Sequence, residues 1–192
     1  MNRAGILILL FMLIFSSKVL NAQETAEEES LNFTYLGPAL SFAYNQAEYT
    51  DWFETSMKTK KMSGFDSSGG MVLNIFTGNL CGDFQLKYAY NSLDFSVTYL
   101  DFSIACKYYY RLNNYFSIGV GPGMYCDTPP SNRKYNGSGG LHLPVSMIAE
   151  TSQTTKLFID LYARYGSFGI GHNTKSLTAG VNAGFMFKAG RI

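Results

Sequence analysis

Residues 176–187 read SLTAGVNAGFMF, and their alternation decides the fold: Leu177, Ala179, Val181, Ala183, Phe185 and Phe187 share one face, while Ser176, Thr178, Gly180, Asn182, Gly184 and Met186 share the other. A period of two is the signature of a β-strand, because successive side chains leave the backbone on opposite sides. Here one face is apolar and the other small or polar, so the strand separates an apolar medium from a crowded polar one.

The same division recurs upstream. Leu36, Pro38, Leu40, Phe42 and Tyr44 oppose Gly37, Ala39, Ser41, Ala43 and Asn45. Leu100, Phe102, Ile104, Cys106, Tyr108 and Tyr110 oppose Asp101, Ser103, Ala105, Lys107, Tyr109 and Arg111. Further strands are expected near 115–126, 141–150 and 156–165, and shorter runs over Gly70–Thr77 and Phe84–Asn91 bring the count to about eight. Tight turns near Gly78–Gly82, Leu112–Asn114 and Thr151–Thr155 interleave with longer segments at 46–68, 91–98, 127–139 and 166–175. Such alternation of short and long connections belongs to up-and-down barrels that cross an outer membrane.

A soluble lipid-carrying barrel would show the same period with its faces reversed, so composition has to separate the two. The polar face is rich in Gly, Ala, Ser and Asn, where a soluble exterior would carry many Lys and Glu. On the apolar face, Tyr108, Tyr110, Phe116, Phe185 and Phe187 gather near the short turns, and Tyr44, Tyr88, Tyr90 and Tyr165 near the long segments. Two aromatic girdles are what the two membrane interfaces favour. On these features the chain, over residues 33–188, resembles the small outer-membrane β-barrels of the OmpA-like and OmpX-like kind, including the orphan barrels of Bacteroidota. The resemblance implies an all-β fold, an eight-stranded antiparallel up-and-down transmembrane β-barrel, with membrane lipid around it and no cofactor.

The 192 residues suit one such domain. Arg3, an apolar run over Gly5–Phe15 and a polar stretch ending at Ala22 form an export signal, with cleavage expected before Gln23. At eleven residues the run is too short for a membrane-spanning helix, which needs roughly 20. The expected organisation is a signal peptide over 1–22, a flexible periplasmic leader over 23–32 and the barrel over 33–192. A net charge of +1 provides no field to gather nucleic acid. The three cysteines, Cys81, Cys106 and Cys126, have no CxxC spacing and read as free apolar residues, Cys81 within a turn.

Candidate functional residues fall into two groups. The inward face carries Lys87, Asp101, Lys107, Arg111, Glu150, Asp160 and Arg164; a Lys or Arg facing mid-membrane lipid would cost about 2–4 kcal/mol. Hairpin register sets Lys87 opposite Asp101 and Arg164 near His142, which reads as an ion-pair network filling a lumen only wide enough for side chains. Gly119, Gly121 and Gly123 read as small inward residues leaving room for Tyr109 and Tyr162. The second group, Tyr49, Trp52, Phe53 and Phe65, lies in the first long segment and is the candidate surface for an envelope protein partner. That points to a structural or interaction role, either alone or within an envelope assembly, without an open pore. The alternatives are an enzyme acting on lipid A, for which His172 is the residue to test while His142 points inward, and a soluble lipid-binding barrel.

Overall fold

The computed structural model describes residues 32–51, 58–91, 97–128, 139–166 and 175–191. The export signal and almost all of the leader, Trp52, Phe53 and His172 lie outside the described residues, and Tyr49 is described in its backbone alone. Nine strand segments are present among them: β1 (Phe33–Asp51), β2 (Lys58–Thr77), β3 (Leu80–Asn91), β4 (Val97–Arg111), β5 (Phe116–Val120), β6 (Gly123–Thr128), β7 (Gly139–Glu150), β8 (Thr155–Gly166) and β9 (Lys175–Arg191). Every pairing is antiparallel, and β1 hydrogen-bonds to both β2 and β9, which closes the sheet on itself. Closure removes the unpaired edge that an open sheet would expose.

β5 and β6 are two halves of one stave, so the ring has eight. Both pair with β4 on one side and β7 on the other, and the register runs through the gap unchanged: Val120 stands opposite Tyr108, and Gly123 opposite Ala105. Pro122 breaks the ladder because it has no N–H to donate; its carbonyl still accepts from the Cys106 N–H at 3.0 Å. At Gly121 a Cβ would lie 1.8 Å from the Cys106 carbonyl oxygen, so only glycine permits this approach.

The short connections close by local chemistry. Thr77 pairs with Leu80 across Gly78, whose φ of 58° lies in the left-handed region. Asn113 Oδ1 accepts from the N–H groups of Tyr115 and Phe116, and Ser152 Oγ from those of Thr154 and Thr155. The segment 46–68, expected as a loop, is mostly hairpin: β1 and β2 pair continuously from Phe33–Phe76 up to Asp51–Lys58. Pairing can continue past the apolar stretch because each added rung satisfies backbone groups without demanding burial. Cys81, expected in a turn, is the second residue of β3 and points inward, fully buried. All three cysteines are free.

Inward and outward faces separate cleanly. Leu40, Phe42, Met71, Leu86, Leu143 and Leu161 stand exposed on the outside, while Ser41, Lys87, Asp101, Ser146, Asp160 and Asn182 are buried within. Isolated exposed apolar residues are ordinary, but a continuous belt of them is a surface built for a partner or for lipid. Tyr110, Phe116, Phe185 and Phe187 face outward toward the short-turn end, and Tyr44, Tyr88, Tyr90 and Tyr165 toward the opposite end.

Candidate functional site: a charged lumen over an apolar floor

The lumen divides into three levels. At the short-turn end, Tyr35, Val72, Phe76, Tyr109, Ile148, Phe158 and Met186 form an apolar floor. Phe76 sits between two tyrosines, with ring centroids 5.7 Å from Tyr35 and 5.5 Å from Tyr109. Gly119 makes room for Tyr109, since a Cβ there would lie 2.5 Å from the ring. Tyr162 is accommodated instead by Gly180, where a Cβ would lie 2.6 Å from its ring, so the glycine set around 121–123 serves the strand break and not this tyrosine.

Above the floor, Lys107 is held between two carboxylates. Its Nζ contacts Asp83 Oδ2 and lies 3.3 Å from both oxygens of Asp160. Gln85 Nε2 donates to Asp83 at 3.0 Å and to Asp160 at 3.3 Å, and Asn182 Nδ2 donates to Gln85 Oε1 at 3.1 Å. With only 1% of Lys107 exposed, these contacts replace its hydration almost entirely.

Toward the long-loop end lies a second cluster. Arg164 Nη1 donates to Asp101 Oδ2 at 3.0 Å, and Lys87 Nζ approaches the same oxygen at 3.7 Å. The guanidinium carbon of Arg164 lies 4.8 Å from the Tyr125 ring centre and 4.9 Å from that of Tyr162, which adds cation–π attraction in a desolvated place. Arg164 Nε donates to His142 Nδ1 at 3.2 Å, so the imidazole proton resides on Nε2. The Tyr162 hydroxyl meets Ser41 Oγ at 2.8 Å, and Tyr99 donates to Asp66 Oδ2 at 3.0 Å.

Of the seven residues expected in the interior, the structure brings together Lys87, Asp101, Lys107, Asp160 and Arg164. Two do not join them. Arg111 is exposed, its Nε donating to the Asn113 carbonyl at 3.3 Å, because it is the last residue of β4 and its side chain lies beyond the closed ring. Glu150 sits at the short-turn rim, paired with Lys156 at 3.3 Å, whose ammonium lies 4.7 Å from the Tyr35 ring. Asp66, Asp83 and Asp127 are buried participants that the sequence reading omitted: Asp66 and Asp127 fell in stretches assigned to loops, and Asp83 between the turn ending at Gly82 and the strand expected from Phe84.

Of the aromatic candidates, Phe65 is described: it is exposed on the outer wall and meets Tyr44 edge-on at 5.5 Å. The lumen therefore holds ion pairs where a soluble lipid carrier would hold its cargo, and the wall is apolar where such a carrier would meet water.

No protein-family model matches the chain, and no curated protein matches it in sequence. Solved structures do match in shape. Neisserial surface protein A is 11% identical at a TM-score of 0.51, covering 79% of this chain and 96% of its own. OprG from Pseudomonas aeruginosa is 12% identical at 0.51, covering 83% and 97%. The outer membrane protein AlkL is 13% identical at 0.50, covering 87% and 97%. At such identities the likeness speaks for the fold alone, and on that ground this chain has the architecture of the small, eight-stranded, OmpA- and OmpX-like outer-membrane β-barrels.

Proposed function

We propose that the protein is exported, is released from its signal at Ala22 and resides in the outer membrane as a closed barrel with a structural or interaction role. Its termini and short turns face the periplasm, and the long connections face outward. The observation that carries this reading is the pairing of an apolar outer belt, edged by tyrosine and phenylalanine at both ends, with a lumen filled by charge pairs and floored by aromatic rings. Lipid satisfies the belt, and an interior packed with side chains leaves no route for solutes.

Cell fractionation with heat-modifiable gel migration tests the location: recovery of the protein as a soluble periplasmic species refutes it. Recognition is assigned to the outward end of the first hairpin, chiefly Trp52 and Phe53 in its connection with Tyr49 at the end of β1, while Phe65 stands lower on the outer wall of β2; loops on a rigid scaffold carry binding residues and large aromatics anchor interfaces. The apolar wall is the other surface through which a membrane partner could dock. Pull-down after mild detergent extraction, comparing the native chain with Trp52→Ser/Phe53→Ser, separates these. A partner retained undiminished by the double variant moves the anchor to the wall.

A further inference from the structure

A groove of about 380 Å³ opens on the outer wall where β8, β9, β1 and β2 meet near the long-loop end. Strand register arranges its lining in rows. The upper row is Lys175, Glu48 and Lys61, with Glu48 opposite each lysine on a neighbouring strand. The row beneath is Tyr165, Leu177, Gln46 and Ser63. Below that, Ala163 and Ala179 offer only methyl groups beside the Tyr44–Phe65 pair, so the apolar wall is thin directly under Leu177. The groove thus runs from exposed cations down to Leu177 and Tyr165, and the wall below it continues as exposed aliphatic and aromatic surface.

Charge in the upper row is unbalanced. Lys61 Nζ lies 2.9 Å from Glu48 Oε1 and donates to it. One carboxylate is thereby engaged by one lysine, while Lys175 is exposed and makes no ion pair among the described residues. The row carries a net charge of +1 and is surrounded by donors, the hydroxyls of Ser63 and Tyr165 among them.

We propose that this shelf seats one lipid of the outer leaflet whose headgroup carries a net-anionic phosphate, not one neutralised by its own cation, with that phosphate against Lys175 and Lys61 and an acyl chain along Leu177, Ala179 and Ala163. A free anion would use the cations but gain nothing from the aliphatic surface below them. On the proposed membrane placement, a lipid of the outer leaflet presents its phosphate near the row of lysines and its chains to the apolar wall beneath it. The proposal rests on the membrane placement given above.

The test uses the full mature chain refolded into phosphatidylcholine vesicles doped with bis-phosphorylated lipid A or with its dephosphorylated form, then released in mild detergent for native mass spectrometry. The native chain is expected to retain one phosphorylated lipid A. Each lysine contributes about fivefold near an anionic headgroup, so Lys61→Gln/Lys175→Gln weakens retention by roughly 25-fold. Lys188→Gln, at the opposite end of the barrel beside Phe33, leaves it unchanged. Equal retention in the double variant, equal retention of the dephosphorylated lipid, or displacement by inorganic phosphate overturns the lipid seat. Heat-modifiable migration of each sample reports insertion separately: a chain that never inserts refutes the membrane placement, and the seat falls with it.

Discussion

Replacing Lys107 by Met tests whether the lower charge cluster holds the barrel together. The substitution nearly conserves volume and removes one cation from between Asp83 and Asp160. Gln85 and Asn182 continue to donate to these carboxylates, but among the described residues no other cation forms an ion pair with either of them. Removing one partner of a buried pair costs about 3–5 kcal/mol, most of it from the charge left behind. With a urea slope of about 2 kcal/mol per molar, the unfolding midpoint should fall by roughly 1.5–2.5 M, followed by the folded gel band or by circular dichroism in lipid vesicles. The triple variant Lys107→Met/Asp83→Asn/Asp160→Asn removes the stranded charges as well and should recover more than half of that loss, since neutral replacements of buried ion clusters are often tolerated. A single variant that shifts the midpoint by less than about 0.5 M, or a triple variant no better than the single one, would refute this account of the cluster.

Three further outcomes are expected. Gly121→Ala sets a Cβ against the Cys106 backbone, which cannot move aside as a side chain could, and should destabilise by at least the 1–3 kcal/mol typical of overpacking, measured by the same urea titration. Phe76→Ala removes the ring between Tyr35 and Tyr109 and should cost about 3–5 kcal/mol; in planar bilayers it should produce brief, small openings, whereas the native chain shows no large stable conductance step. Cys106 and Cys126 face the lipid side while Cys81 is enclosed, so in vesicles a water-soluble maleimide should label none of the three, and unfolding in detergent should expose all of them.

Much of this architecture was legible because a membrane barrel writes its two environments into alternate residues. Period two gave the strands, and turn spacing gave the registers that set Lys87 opposite Asp101 and His142 opposite Arg164. What alternation does not record is height along the barrel axis. Arg111 continues the inward rhythm of β4 after enclosure has ended, and Glu150 does the same at the rim of β7. Conversely, Asp66, Asp83 and Asp127 lie where strands outlast their apolar partners, so a reading keyed to hydrophobic runs assigns Asp66 and Asp127 to connections and starts β3 one residue after Asp83. The apolar floor was hidden for the same reason: Phe76, Ile148 and Phe158 occupy inward positions next to turns, and in sequence they only blur the contrast between faces.

The floor lies beside the short turns, at the far end of the barrel from the connections 52–57, 92–96, 129–138 and 167–174. Under the proposed function, sealing and recognition therefore fall to opposite ends of one barrel. The packing of Tyr35, Phe76, Phe158 and Met186 is set by strand segments next to the short turns, so under the proposed function a lineage could vary the sequence between the far strand ends repeatedly and its membrane would not become leaky.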